Sequence, residues 1–464
     1  MIGIVVSRAD SASEHIGEHV LDLRTWDELT DDTRPAADGG GMVYRSGPFE
    51  LRTFDELHLH LEDVATAFSD PALVVFASRH SGDTGPLLTG HFTGNFGPAE
   101  YGGVDGTLAT TAPAALDTVV AAFEEYAPDG YDVGIECTHH GPSAVGAPSL
   151  FVELGSDEPQ WSDPEAARAV ARSILSLDEL AEDGQVDPFD TRTVVGFGGG
   201  HYAPRFERVL RETDWSIGHV ASDWTIDAMG DPAASQDIVR QAFERSATAY
   251  ALLDGDHPKL ASVIDELGNR VVSETWLREV DEIVPAADEY GDRGEWFTMV
   301  ERLEEALCPV DAGLRFGEAA TELDPGSESP FAVIDMPPEL VSEAHVADAG
   351  RTLDTITGVT VAYETEENGN RVVGRAAVRD VTDYDVLVER LVAILQDAYD
   401  AVEWDGDEVM IREQIFAPDM ARELGVEEGP KFGMLTSGQA VTVGEQTITP
   451  EDVFERRIRR IQTR

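Results

Sequence analysis

Lysine is almost missing from this 464-residue chain: Lys259 and Lys431 are the only two, so the other 31 of its 33 basic residues are arginines. Against them stand 90 acidic residues, for a formal net charge of −57. The carboxylates are scattered beside ordinary apolar periodicity. Such a surface reports the solvent: it keeps a folded chain soluble where molar salt screens repulsion within a few ångströms, the signature of an extreme halophile. It does not exclude a polyanionic substrate, because attraction to phosphate is mostly lost in molar salt. Cysteine is equally scarce. Cys137 and Cys308 lie far apart, which excludes a disulfide framework and a CxxC metal site and suits a reducing cytoplasm. No apolar run approaches about 18 residues, so no membrane-spanning helix is expected. The opening MIGIVVSRAD has no basic segment and no long apolar stretch, and it reads as a first strand rather than a secretion signal. HExxH, GxGxxG, a P-loop lysine and GxSxG are all missing, which disfavours local-motif zinc proteases, nucleotide hydrolysis and serine hydrolases.

What is present is enough to build cores. Hydrophobic residues make up 42% and aromatics 8%, excluding wholesale disorder. From Met1 to about Leu267 strand-like and helix-like segments alternate. Ile2–Val6, Leu73–Ala77, Tyr131–Ile135, Leu150–Leu154, Thr193–Phe197 and Ile217–Ala221 are apolar runs of strand length. Ser11 and Glu14 have capping-box spacing for a helix toward Leu21; Ala115–Tyr126 has helical spacing; Pro164 and Pro204 sit where helices begin. The pattern predicts an α/β fold, a mixed sheet with helices on both faces. Residues 276–330 are acidic and read as a helical connector. From Phe331 a smaller α+β domain begins, with strands flanking Asn368-Gly369 and a helix over Val386–Tyr399. The division is 1–275, 276–330 and 331–464.

Chemistry concentrates in the first part, where eight of the twelve histidines fall between His58 and His219. Ser78–Gly82, Glu136–Pro142 and Gly198–Pro204 each follow a predicted strand, and ligands of open α/β sheets bind beyond the carboxyl ends of strands. Three strand ends thus bring His80, Glu136, His139, His140 and His201 toward one cleft, with the glycine-punctuated Thr89–Asn95 read as a loop closing over it. Imidazoles plus a carboxylate suit a zinc ion that acidifies a water. Gly198-Gly199-Gly200 before a helix offers backbone N–H groups to an anion. Cys137, directly after a buried strand, reads as a packed thiol.

Six ordered segments carry a resemblance: SRHSG at Ser78–Gly82, LTGHFTGN at Leu88–Asn95, ECTHHGP at Glu136–Pro142, SLFVELGS at Ser149–Ser156, GGGHYAP at Gly198–Pro204, and Gly218-His219. Together they resemble the archaeal and plant type of D-aminoacyl-tRNA deacylase, over roughly Met1 to Leu267; Cys137 departs from the small non-thiol residue associated with that family. The resemblance implies a phosphorylase/hydrolase-like fold, a zinc requirement, and hydrolysis of the ester joining a D-amino acid to the tRNA 3′ ribose. On it we assign Glu136, His140 and His80 as catalytic residues. Ser78, Thr93, Asn95, Gly199, Gly200 and Tyr202 are assigned to the substrate, and His91, His139 and His201 to zinc. A cytoplasmic monomer acting on D-aminoacyl-tRNA, with no DNA or membrane partner, is expected. Another zinc hydrolase (a peptidase or amidohydrolase) and a non-catalytic tRNA-binding protein are the alternatives. The segment after Phe331 is expected to lie outside the resemblance, as a haloarchaeal extension. Within it Leu424–Gly433 resembles a stretch of the tRNA 3′-processing endonucleases, without their HxHxDH motif. The basic run Phe454–Ile461 is expected either to meet tRNA phosphates or to form an amphipathic helix.

Overall fold

The computed structural model describes residues 1–182, 185–189, 191–283, 293–307, 313–324, 326–327, 329–366, 371–399 and 401–463. Cys308 and the Asn368-Gly369 turn lie outside the described residues. The chain forms two compact units, Met1–Arg278 and Glu279–Arg464.

The first unit is built on an eight-stranded mixed sheet in the order Asp27–Asp31, Gly41–Ser46, Phe49–Phe54, Ile2–Ser7, Leu73–Arg79, Ser149–Gly155, Leu87–Phe92, Asp132–Ile135. Its centre is parallel, and Leu87–Phe92 runs antiparallel to Ser149–Gly155. The continuous apolar runs LVVFA and LFV are buried on both faces, which is why they show no polar alternation. The helices Ser11–Leu23, Pro113–Tyr126 and Pro164–Leu175 form a layer over one face. On the other face, Phe76, Phe151, Val64 and Phe68 pack beneath the short turns His58–His60 and Val64–Ala67. Among the described residues, α-helices cover both faces only in the second sheet of this unit. It is parallel, in the order Trp215–Ala221, Arg192–Gly198, Tyr250–Asp254, Arg270–Val272. Phe206 of the helix Pro204–Glu212 lies where a Cβ on Gly196 would be, on one side of that sheet, and the helices Gln236–Arg245 and Pro258–Glu266 close the other.

The helix expected to be capped by Ser11 is capped by Asp10, whose carboxylate accepts from the N–H groups of Ala12 and Ser13. The same carboxylate accepts from the Arg79 N–H at 3.0 Å, so this cap also fixes the end of the strand that carries His80.

The second unit holds a four-stranded antiparallel sheet, a three-stranded sheet and the helices Pro338–Ala347 and Asp383–Ala398 around a shared core. Residues 313–316, placed by sequence in a helical connector, form a strand of the four-stranded sheet, paired with Ala362–Glu366. The arginine-rich tail is not a helix. Phe454–Gln462 is a strand along Glu408–Phe416, where Arg459 meets Glu413 at 3.0 Å and Arg460 meets Glu408 at 2.8 Å. The spacing of Phe454, Ile458 and Ile461 is helical, but cross-strand hydrogen bonds and ion pairs outweigh local periodicity here.

Candidate active site

Five backbone segments deliver the site. The Glu136–His140 stretch leaves its strand and is held between the two sheets of the first unit. The Glu136 N–H donates to Gly90 O, Cys137 N–H to His201 O at 2.8 Å, and Thr138 N–H to Val220 O at 2.8 Å. Thr138 Oγ1 in turn lies 2.9 Å from His219 Nδ1, whose ring spans to Ala109 O, so the buried His219 supports the segment from behind. His80 is fixed by its own carbonyl, which accepts from Trp161 Nε1 at 2.9 Å. His201 follows the turn Gly198-Gly199-Gly200.

The expected loop Thr89–Asn95 is a correction: Leu87–Phe92 is a fully buried strand between two others. Its glycine suggested a turn, but Gly90 serves close packing, with Leu116 and the Phe151 carbonyl 3.1 and 3.2 Å from where its Cβ would be. His91 is therefore a strand residue. It is paired in register with Phe151, and the two rings stack at 5.2 Å. Two positions beyond Phe151 on the same face stands Glu153, 2% exposed, which sequence reasoning missed. Its signal was a lone carboxylate inside an otherwise apolar strand.

Around these strands the polar groups converge. Glu136, buried, lies 2.7 Å from His201 Nε2 and 3.1 Å from His80 Nδ1. Glu153 lies 3.7 Å from His80 Nδ1 and 3.6 Å from His91 Nε2. The rings of His91, His139 and His140 sit 4.3 to 4.7 Å apart, and His139 is 4.6 Å from His201. A cavity of about 580 Å³ opens on this cluster, lined among others by Asp10, Ser78, His80, Glu153, His201 and Tyr202. Of the residues assigned to substrate, Ser78 and Tyr202 line it. Thr93 is instead buried against Ser149 Oγ at 3.0 Å, and Asn95 donates from Nδ2 to Gly102 O at 2.9 Å. Gly199 packs on the Asp254 carboxylate, and Gly200 faces open space.

The protonation states divide the cluster. Burial raises carboxyl pKa values, but the His201 and His80 imidazoles beside Glu136 outweigh it and hold that group well below the usual range. Glu153 is equally buried; the same desolvation, with Glu136 nearby, keeps its pKa raised. Two neighbouring carboxyls pushed in opposite directions is the arrangement that separates a base from an acid. Burial opposes charge on His201, yet Cys137 and Glu136 raise it to about 10. Burial and neighbouring imidazoles lower His139 to about 3 and His140 well below its usual value, so both rings are neutral.

Neutral imidazoles are what a metal requires. His91, His139 and His140 each direct Nδ1 at a backbone carbonyl (Phe92 O at 2.9 Å, Cys137 O at 2.8 Å, Gly141 O at 3.2 Å). A carbonyl only accepts, so Nδ1 carries a hydrogen in each ring; in the neutral His139 and His140 this leaves Nε2 to coordinate, whereas burial opposes charge on His91 but Glu153, facing its Nε2, raises its pKa. His91 Nε2 is buried with no hydrogen-bond partner. One ligand atom from each of these three rings lies within 4.8 Å of the others; Cys137, His139 and His201 form a second such group, and His80, Glu136 and Glu153 a third. The set assigned from sequence, His91 with His139 and His201, spans two of these groups. His140 lies with His91 and His139 in the first, and His201, which also contacts Glu136, lies with Cys137 and His139 in the second.

An α/β unit that gathers buried carboxylates and imidazoles of opposed protonation at the mouth of one cavity is built as an enzyme. The sequence model of the D-aminoacyl-tRNA deacylase family matches residues 67–272. A D-aminoacyl-tRNA deacylase of Natronomonas pharaonis is 52% identical over 100% of both chains, and one of Haloarcula marismortui is 48% identical over 99% of both. The chain belongs to the D-aminoacyl-tRNA deacylase family. The relative from Methanoregula boonei is 31% identical over 97% of this chain, so residues after Phe331 are matched there too, which corrects the expectation that they lie outside the resemblance. A crystal structure of a conserved protein of unknown function superposes with a TM-score of 0.52 at 27% identity, covering 60% of this chain and 96% of that one. Among the described residues no helix is long and apolar enough to cross a membrane.

Proposed function

We propose that this chain hydrolyses the ester between a D-amino acid and the 3′ ribose of tRNA, at the Glu136–His80–Glu153 cluster, with a zinc ion held by His91, His139 and His140. The observation that carries the reading is the shared geometry of those three rings, each with Nδ1 directed at a backbone carbonyl and one ligand atom of each within 4.8 Å of the others. When bound, zinc supplies the Lewis acidity that lowers the pKa of a water and polarises the ester carbonyl. The ionised Glu136 takes the proton of the attacking water. Glu153, its carboxyl held toward the neutral form, returns a proton to the departing ribose oxygen, with His80 between the two carboxyls. The His201 imidazolium and the N–H groups of the Gly198–Gly200 turn stabilise the oxyanion. Chirality would be read by shape, through a wall that admits a D side chain and excludes an L one.

We place the enzyme in the salt-rich, reducing cytoplasm of a halophile, as a monomer and with the phosphorylase/hydrolase-like class for its first unit. The acidic surface, the scarcity of cysteine and the mixed eight-stranded sheet support that placement. Exhaustive chelation is expected to lower deacylation of D-aminoacyl-tRNA by at least about 100-fold, and added zinc to restore it. Full activity in metal-free protein, verified by elemental analysis, would remove zinc from the account.

A further inference from the structure

Most large apolar side chains are hidden, and the few exposed aromatic ones are not scattered. Among the described residues four aromatic side chains count as exposed: Tyr101, Tyr202, Trp224 and Trp404. Three of them, Tyr101, Tyr202 and Trp224, line the one cavity of the catalytic cluster. Single exposed apolar residues need no explanation, whereas a group at one mouth marks a binding surface.

The two most exposed rings stand on immobilised backbone. Tyr101, 62% exposed, precedes Gly102 and Gly103, both at positive φ. A Cβ at Gly102 would lie 1.9 Å from Leu59 O, and one at Gly103 2.5 Å from Ser143 Oγ, so this chain path admits only glycine. The Tyr101 carbonyl accepts from the Gly141 N–H at 3.3 Å, and Asn95 Nδ2 holds the next carbonyl. Asn95, assigned from sequence to the substrate, thus anchors the turn that presents Tyr101. Trp224, 49% exposed, sits in the first turn of the helix Asp223–Met229, and the Asp223 N–H donates to Gly199 O at 2.9 Å. Its indole lies nearly parallel to the His201 ring, at 21° and 6.4 Å between centroids. A rigid frame that holds aromatic faces toward solvent beside a reacting centre is built to receive a flat, stackable group.

We infer that Tyr101 and Trp224 form a stacking platform for the unpaired nucleobases at the tRNA 3′ end, holding the terminal nucleoside while its ester reaches the cavity. The inference rests on the proposed function and names where that substrate's nucleotide part binds. Charge supports the choice of occupant. A chain of net charge −57 gains little from phosphate attraction, and molar salt screens what remains, whereas a base stacked on an aromatic ring keeps its contact.

The test compares two substrates, D-aminoacyl-tRNA and a small D-aminoacyl alkyl ester without nucleotide, in molar KCl. Trp224→Ala and Tyr101→Ala are each expected to raise KM for aminoacyl-tRNA about tenfold and to leave kcat/KM for the small ester unchanged, with Trp224→Phe retaining most of the affinity. In parallel, the non-aminoacylated trinucleotide cytidylyl-cytidylyl-adenosine is titrated into wild type and both alanine variants, with about tenfold weaker binding expected in the variants. An unchanged KM and unchanged trinucleotide affinity would overturn the platform. An equal loss on both substrates would also overturn it, as the mark of a purely structural role. Should wild type fail to turn over aminoacyl-tRNA, the proposed function falls, while the trinucleotide titration still judges the platform.

Discussion

Glu136→Gln is expected to lower kcat/KM for D-aminoacyl-tRNA by about 1,000-fold with the fold intact. The substitution keeps shape and hydrogen-bonding capacity but removes the buried carboxyl of the cluster whose pKa is held well below its usual range. Removing a positioned general base costs roughly 100- to 10,000-fold, and Glu136 also stabilises charge on two imidazoles. The loss therefore has a spectroscopic companion. His201, raised to about 10 by Cys137 and by Glu136 at 2.7 Å, is expected to titrate distinctly lower in the variant, as read by proton–nitrogen NMR. A Glu136→Gln protein with activity within threefold of wild type would remove this residue from the chemistry, whatever its effect on His201.

Gly198→Ala is expected to be among the most damaging single methyl groups that the described residues allow. Gly198 has φ +100, and a Cβ there would lie 2.0 Å from the Asp254 carbonyl oxygen. That oxygen belongs to the neighbouring strand, paired in register with Gly198, so it cannot swing away as a side chain would. Positive-φ strain and the backbone clash together cost about 3 kcal/mol, seen as a lower midpoint in salt-matched denaturation. The displacement falls on the turn that carries His201, and a shift of about 1 Å in a catalytic group is worth about 100-fold in rate. Gly200→Ala is the control two residues away: its Cβ meets nothing within 4 Å, and stability is expected to stay within about 0.5 kcal/mol. Equal stability of Gly198→Ala and wild type would contradict the packing described here.

The central strands of the first unit were legible because they are apolar throughout, and its helices because they begin at Pro164 and Pro204 behind Asp163 and Ala203, whereas the more polar strands Asp27–Asp31, Gly41–Ser46 and Phe49–Phe54 at one side of the sheet gave no such signal. The strand-end histidines were legible for the same reason: a polar segment directly after a buried strand has few places to go but the sheet's carboxyl edge. Three features of the site were not. Leu87–Phe92 carries a glycine that reads as a turn until the neighbouring strand is seen to need its missing side chain. Glu153 is one carboxylate in an apolar run, and only its register beside His91 shows that it faces the cluster. The grouping of the imidazoles depends on which carbonyl each Nδ1 reaches, a matter of backbone path rather than spacing. In the second unit, Phe454–Gln462 has helical spacing and strand pairing, and long-range partners decided between them.

The central claim is that the cavity hydrolyses an ester whose acid part is a D-amino acid. It is tested most directly by turnover of one tRNA charged with the D and the L form of the same amino acid, in molar KCl, following release of free amino acid. The account predicts rapid release from the D form, returning intact tRNA, and release from the L form at the uncatalysed rate. Equal release from both, or none from either by a protein shown to be folded and loaded with zinc, would contradict it.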